Sequence, residues 1–397
     1  MQKGQNQSVT RKINLSIIME RYVKHNMSKI DISRHFKLSK PAATNIVTEL
    51  LNLKLICPVN GSTKNYTNPG VKPLSYCINP NLGVIVILDL STIEVKVTIC
   101  NFAGEILKTE IVPDMEIITL DAINKFCKII EVLLKSPNLS EQNLLCICVA
   151  IPCSTNRANE IEYSLRFDID PKFDLHKFFE EKFNTEIIIK NDVQVYLNAE
   201  KNCGLLTNEI KYAILIYIDA GIGGSFYMNG RLEDGENGTA GALGFFPVFS
   251  DGNFLQLDDT SSINAIKRNI KFQLNENEQA KKLYQNSLRF RDIKNAYLYE
   301  NDKLTVSIVN MSAKNVAKAL ISLIDILNIY YIVINGRIIQ LGENYINIIR
   351  EIIKTKYPTV QINYSALGET AVKEGAIFLA VNKIINNKID NRHVLIF

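Results

Sequence analysis

The sequence predicts an α/β protein in which a small, basic, helical head precedes a larger body of two similar lobes. Three observations predict it. Charge is unevenly spread: through Ser75 there are 12 Lys and Arg against three acids (Glu20, Asp31, Glu49), a charge of +9. That leaves −5 for the rest of a chain whose total is +4. Strand-like apolar runs then recur in one order twice. Between head and body lies a Pro- and Gly-punctuated stretch, Thr67 to Pro73, which reads as a linker. A basic head on a mildly acidic body points to a polyanion-binding module joined to something else.

Three helices account for the first 56 residues. Asn14 to Lys24 places Leu15, Ile18, Met19 and Tyr22 on one face at helical spacing. Ser28-Lys29-Ile30-Asp31 has the pattern of a capping box opening a short helix through Phe36. After a tight break at Lys37-Leu38, Ser39 is a good N-cap and Pro41 is tolerated in the first turn. The third helix runs to about Leu51, with Ala43, Ile46, Val47 and Leu50 inward and Pro41, Thr44, Asn45 and Thr48 outward. A short helix, a tight turn and a capped helix with a small polar outer face make a helix-turn-helix. Asn60-Gly61 within Val59 to Tyr66 has hairpin-turn chemistry and gives a wing. The competing reading of the head is a small helical protein-interaction domain; its charge and the outward Lys40, Thr44 and Asn45 argue against that.

The body begins with buried strands at Leu82–Asp89 and Val95–Cys100, a turn at Asn101–Glu105 and a strand at Ile106–Thr109. A helix over Leu120–Leu134, a strand over Leu144–Ile151, a helix over Leu175–Phe183 and a strand over Glu186–Lys190 follow. The second set opens with Tyr212–Asp219, then Gly221-Ile222-Gly223-Gly224 and a turn at Asn229-Gly230. Helical segments fill about 261–300 and 310–328, followed by a strand at Tyr331–Ile334, a helix over 344–356, a strand at Val360–Asn363 and a last helix. Two β-β-β-α-β-α successions predict a duplicated α/β protein with a cleft between its lobes. The expected boundaries are a head over 1–66, a linker over 67–81, a first lobe over 82–200 with 378–397 returning to it, and a second lobe over 201–377.

Composition excludes several classes. At 47% hydrophobic and 22% charged, the 397 residues are too apolar for disorder. No apolar run approaches the roughly 20 residues a bilayer requires. The polar start, MQKGQNQSVTRK, has no signal-peptide pattern. Eight Cys lie scattered in apolar stretches such as Leu145-Cys146-Ile147-Cys148-Val149, as reduced thiols do. A cytoplasmic protein without a membrane partner is expected. Cys146, Cys148 and Cys153 lie close together but have no His nearby, so packing is the expected role and no metal site is assigned. His25, His35, His176 and His393 have no ligand spacing.

The residues resemble the ROK family of repressors, open reading frames and sugar kinases. The likeness runs over nearly the whole chain, on Leu38-Ser39-Lys40-Pro41, Gly70-Val71-Lys72-Pro73, Lys190-Asn191-Asp192, Gly221-Ile222-Gly223 and Asn229-Gly230-Arg231-Leu232. Gly235-x-x-Gly238-x-Ala240-Gly241, Leu367-Gly368-Glu369 and Gly375-Ala376 complete it. The resemblance implies a winged helix-turn-helix followed by a two-lobed actin/hexokinase-like (ribonuclease H-like) ATPase-fold body. Within the family, members with an added winged helix are sugar-responsive transcriptional repressors, such as the xylose and N-acetylglucosamine regulators.

The departures from that pattern carry equal weight. Family kinases hold ATP phosphates with Asp-x-Gly-Gly-Thr-Lys, where this chain has Asp89-Leu90-Ser91-Thr92-Ile93-Glu94. Both glycines have gained side chains where backbone must approach phosphate, and the cation has become an acid. The second phosphate loop, Asp219-Ala220-Gly221-Ile222-Gly223-Gly224-Ser225, brings a carboxylate beside a would-be triphosphate. ATP is therefore not expected to bind, and no cofactor is expected. Family Ala-Gly-Glu-Ile-Gly-His is Ala240-Gly241-Ala242-Leu243-Gly244-Phe245 here, without the sugar-binding Glu and the His. The cysteine-rich zinc element is gone, with Asp258 standing for its final Glu and no Cys after Cys203.

The expectation is then a sugar-responsive DNA-binding regulator, a repressor of carbohydrate (first guess xylose) utilisation genes, whose kinase-like body has no catalytic activity. Its DNA-contacting residues would be Ser39, Lys40, Pro41, Ala42, Thr44, Asn45, Thr48 and, from the wing, Lys64. A ligand would meet Asn191, Asp192, Gly221, Gly241, Phe245 and Asp258. Expected partners are double-stranded operator DNA, a small sugar effector and a second copy, as a homodimer or a dimer of dimers. The alternatives are an ATP-dependent sugar kinase with a vestigial head and a ligand-independent DNA-binding protein.

Overall fold

The structure is a computed structural model. It describes Leu15, Ile18, Met19 and Tyr22 and residues 25–59 and 74–394, apart from 154, 157–159, 162–163, 165, 208, 251, 275–280, 282 and 285–287. Lys64, the Asn60-Gly61 turn and the Gly70–Pro73 segment lie outside the described residues.

In the head, Leu15, Ile18, Met19 and Tyr22 are helical and buried, as their spacing predicts. The Tyr22 hydroxyl donates to the Met27 carbonyl at 3.4 Å, at the start of β1 (Met27–Ser28). The capping box forms as read: Ser28 Oγ accepts from Asp31 N–H at 3.2 Å, and Asp31 Oδ2 accepts from Ser28 N–H at 2.8 Å. It opens α1 (Lys29–His35). The Ser28 hydroxyl also donates to Asp31 Oδ2 at 2.7 Å, and this bond, then the one from Ser28 N–H, holds the Asp31 carboxyl below its ordinary range. Its contribution is therefore complete at neutral pH and is lost as pH falls through the lowered value. Ser28→Ala is expected to cost about 1 kcal/mol, read as an earlier denaturant midpoint at pH 7 and a smaller difference under acid.

After the turn, α2 (Lys40–Asn52) is capped by Ser39, whose hydroxyl accepts from Ala42 N–H at 3.3 Å. Ala43, Val47 and Leu50 are buried and Ile46 is half-buried. A three-stranded sheet closes the head, with β3 (Ser75–Ile78) between β1 and β2 (Ile56–Pro58). This corrects the expected boundary at 66. Four residues of the predicted linker form a strand of the head, because Tyr76 and Ile78 point into its core while Ser75 and Cys77 point out.

The chain divides into two compact units. The first holds residues 1–151, 164–190 and 376–397. Its sheet has the order β6-β5-β4-β8-β10, from β4 (Val84–Asp89), β5 (Val95–Asn101), β6 (Ile106–Val112), β8 (Leu144–Ile151) and β10 (Glu186–Asn191). A two-residue pair, β7 (Ile118–Thr119) with β9 (Phe167–Asp168), lies outside it. β4 is buried on both faces and pairs antiparallel with β5 and parallel with β8, which explains its unbroken apolar run. Helices α3 (Leu120–Leu134), α4 (Leu175–Phe183) and, from Ala376 on, the C-terminal helix (Ala371–Val394) complete the unit.

The second unit, residues 152–163 and 191–375, repeats the plan. Its sheet order is β13-β12-β11-β16-β17, from β11 (Ala213–Ile218), β12 (Ile222–Met228), β13 (Arg231–Glu233), β16 (Tyr331–Asn335) and β17 (Gln361–Tyr364), and a separate antiparallel pair, β14 (Pro247–Ser250) with β15 (Asn253–Gln256), lies outside it. Counted from each unit's own first strand, the two sheets have one order, so the duplication read from sequence is present. The β12–β13 hairpin turns at Asn229-Gly230, both at positive φ (51° and 80°), the type I′ geometry this dipeptide favours. The start of this unit differs from expectation: α5 (Asp192–Cys203) belongs to it, not to the first lobe. A long helix, Lys303–Leu327, packs over the sheet and begins several residues before its predicted start, at the Asp302 cap. Among the described residues no helix is long and apolar enough to cross a membrane.

Candidate functional site

In the head, the outer face of α2 carries Lys40, Pro41, Thr44, Asn45 and Thr48, all exposed. Ala42 is half-buried, and Ser39, exposed, is committed to the cap. Thr48's hydroxyl donates to the Thr44 carbonyl at 2.9 Å, leaving its methyl and oxygen lone pairs outward. The cap uses the amides of Ala42 and Ala43. Pro41 has no N–H, Ala42 N–H goes to Ser39 Oγ and Ala43 N–H to the Ser39 carbonyl at 3.0 Å. Lys40, by its side chain or its N–H, is the first candidate for a phosphate contact.

The first loop that resembles a phosphate loop is filled by its own residues. Asp89 is buried, and its Oδ1 accepts from Ser91 N–H at 3.0 Å and Ser91 Oγ at 2.6 Å. Burial pushes this carboxyl above its ordinary range, against the pull of Ser91. Arg166, which sequence reasoning missed, donates to the carbonyls of Leu90 (2.6 Å), Thr92 (2.8 Å) and Met115 (2.6 Å). One guanidinium thus holds the loop shut across 74 to 76 residues of sequence.

The second loop is occupied in another way. Asp219 is not a bare charge. It accepts from Ala220 N–H at 2.6 Å, from Arg337 N–H at 3.2 Å and from Arg337 Nε at 2.9 Å, with Nη2 also bonded. Arg337 sits in the turn after β16, above the Phe290 ring. Its charge and burial together lower the Lys267 ammonium, burial being the larger cause. Asp219 is thus one half of an ion pair, not the unpaired carboxylate its position in the sequence suggests.

The predicted ligand residues gather around the first half of β12. Asn191 caps α5, accepting from Val193 N–H at 3.0 Å and donating to the Cys153 carbonyl at 3.0 Å. Asp192, 5% exposed, accepts from the same N–H at 2.8 Å. A side chain on Gly223 would meet Val193, so this helix start lies against β12. Asp258 is half-buried, and its Oδ1 accepts from Ile222 N–H at 2.6 Å, 3.3 Å from where a Cβ on Gly221 would stand. Burial raises its carboxyl above the usual range. Gly241, at φ +104°, accepts from Gly224 N–H at 2.7 Å, and a Cβ there would lie 2.1 Å from the Gly224 oxygen. Phe245 is 52% exposed, whereas its neighbour Phe246 packs on the core.

Two residues here were missed by sequence reasoning. Gln194, nearly buried, donates to Asp234 at 2.9 Å. Asn335, 4% exposed at the end of β16, has an Nδ2 without a partner among the described residues, as has Ser225 Oγ on β12. Buried polar atoms of this kind mark a place for water or ligand. No group of three or more potential metal ligands occurs among the described residues. Cys146 and Cys148 are buried on β8, and burial pushes the Cys148 thiol up to about 12, as inert packing thiols require.

Comparison with known proteins follows the same division of the chain. A "Putative xylose repressor" of Caldicellulosiruptor sp. (strain Rt8B.4) is 20% identical over 96% of this chain and 98% of its own length. Among solved structures, a "ROK family transcriptional regulator, homolog of E.coli MLC protein" superimposes with a TM-score of 0.77 at 18% identity, over 96% of this chain and 98% of that one. A ROK family glucokinase from Streptomyces griseus has a TM-score of 0.61 at 18% identity, covering 99% of itself but 75% of this chain. The kinase-like fold of the body is thus common to both. The ROK family model matches residues 86–382, and the chain belongs to the ROK family.

Proposed function

We propose that this protein is a DNA-binding transcriptional repressor whose affinity for its operator responds to a small sugar, with a body that has no kinase activity. The observation that carries the reading is the exposed polar face of the capped helix α2 in a basic head, on a chain whose two phosphate-type loops are closed by Ser91, Arg166 and Arg337. The relatives support it by name: one that matches over 96% of this chain and 98% of its own length is a putative xylose repressor. Operator DNA is the partner of the head, and Asn191, Asp192, Gly221, Gly241, Phe245 and Asp258 surround the effector. Homodimerisation belongs to the reading, because two heads one helical turn apart supply the affinity a single helix lacks.

Selection of binding sites from random duplex DNA tests the proposal. Enrichment of a two-fold symmetric site with half-sites about 10 base pairs apart is the expected outcome; no enrichment sinks it. On the selected site, Lys40→Ala should weaken binding to all sequences and reduce the salt slope by about one unit. Asn45→Ala should relax preference at one or two positions by about 1–3 kcal/mol. For the body, a coupled kinase assay over pentoses, hexoses and amino sugars should give no turnover. Turnover abolished by Asp192→Asn would establish the kinase reading instead.

A further inference from the structure

Cys57 on β2 and Cys77 on β3 face each other directly across the head's antiparallel sheet, with sulfurs 3.6 Å apart. The bonds on either side, Val59 N–H to the Ser75 carbonyl and Asn79 N–H to the Leu55 carbonyl, both 3.0 Å, fix the register. They make Cys57–Cys77 a hydrogen-bonded pair, whose Cα atoms stand about 5.5 Å apart. That separation lies within the roughly 4.4–6.8 Å that a disulfide spans. Ile56, Tyr76 and Ile78 are buried on the inner face, so both thiols lie half-exposed on the outer one. The other described sites differ: Cys100, Cys127, Cys146, Cys148 and Cys153 are buried, and Cys203 is exposed. We propose that Cys57 and Cys77 are a redox modification site, which a hydroperoxide converts to a reversible cross-strand disulfide that weakens DNA binding by the head. The affinity part rests on the reading of the head as a DNA-binding module.

The chemistry balances. One thiolate attacks the peroxide, the O–O bond breaks, and one oxygen stays as a sulfenic acid while the other takes a proton and leaves as water, or as the alcohol from an organic hydroperoxide. The facing thiol attacks that sulfur, the S–S bond forms, and the second oxygen leaves as water. Two protons and two electrons pass from the thiols to the peroxide. Burial, then the bond to Cys77, pushes the Cys57 thiol up to about 11, so little of it is thiolate at neutral pH and its oxidation by peroxide is slow. Drawing the sulfurs from contact to bonding distance pinches the two strands that flank residues 59–74. Three residues separate β2 from the end of α2, so the displacement passes to the helix read as meeting DNA.

The test uses the full chain with Cys203→Ser, to remove the exposed thiol, before and after hydrogen peroxide and then dithiothreitol. Peptide mass should show Cys57 joined to Cys77. Anisotropy with the selected duplex should show binding weakened by about threefold or more. Both changes should reverse with dithiothreitol and be absent in Cys57→Ser. No joined peptide, a joined peptide with unchanged affinity, or an equal loss in Cys57→Ser overturns the proposal. Failure of the untreated chain to bind any DNA overturns the reading of the head and the affinity effect with it. A missing joined peptide in a chain that does bind DNA overturns this proposal alone.

Discussion

Gly241→Ala is expected to destabilise the second unit by about 3–5 kcal/mol, because it combines a strained backbone with an overpacked contact. Its φ of +104° is open to glycine, and the new Cβ would stand 2.1 Å from the Gly224 oxygen and 2.8 Å from its carbonyl carbon. Both atoms are backbone of β12, so no side chain can swing away. The Gly224 N–H bond to the Gly241 carbonyl, 2.7 Å long, ties the two segments and would have to lengthen. For a unit of this size the melting temperature should drop by about 10 °C. Calorimetry should show that loss in one transition, with the head's DNA affinity retained at low temperature. A variant melting within about 2 °C of the parent would mean that the 238–244 segment relaxes freely, and the geometric case for Gly241 would be wrong.

The same position shows what a sequence can and cannot carry. Gly241 was expected to meet ligand because it sits in a motif that resembles the family's sugar loop. Its geometry gives it a nearer task, the close approach of two backbone segments. Local chemistry was legible throughout: Ser28 with Asp31, Ser39 with Pro41, and Asn229-Gly230 act within three residues, and each forms as read. The buried strands were legible too, since β4 and β8 are covered on both faces and show it as apolar runs. Helix α5 was not. From Asp192 to Glu200 it is buried all round, with Gln194, Asn198 and Glu200 inside, so no polar face marks its period. Glu200 is satisfied by Leu205 N–H at 2.9 Å and by Ser365 Oγ, the latter 165 residues away. Arg166 and Arg337 were missed for the same reason. Their partners lie about 50 to 118 residues distant, and nothing near either arginine announces them. Strand β3 was lost because four residues behind a proline-rich stretch give too short an alternation to read.

Asp192→Ala is expected to abolish the effector's influence on DNA affinity while leaving effector-free DNA binding unchanged. The substitution should fold, because Asn191 also accepts from Val193 N–H, so the α5 cap survives the loss of Asp192. What remains is the loss of a favourable charge at a helix start, about 0.3–1 kcal/mol. The effect on a polyhydroxylated ligand is larger. A hydroxyl donating to a carboxylate contributes about 1.5–3 kcal/mol, so its removal lowers affinity by roughly one to two orders of magnitude. Ala242 and Phe245 stand where the resemblance implies two further polar partners, and Gln194 is already engaged with Asp234. The exposed Phe245 ring offers stacking alone. Thermal shift and operator anisotropy, each titrated with xylose, glucose and N-acetylglucosamine, read the two halves of the prediction separately. The parent should gain melting temperature with one of these sugars, and the variant should not, since stabilisation follows the ratio of ligand concentration to dissociation constant. DNA affinity measured without sugar should agree between them, because the head and the Asp192 site are coupled only through a change of state that the sugar drives. A variant that still responds fully to the same sugar places the effector elsewhere in the molecule and removes Asp192 from the site.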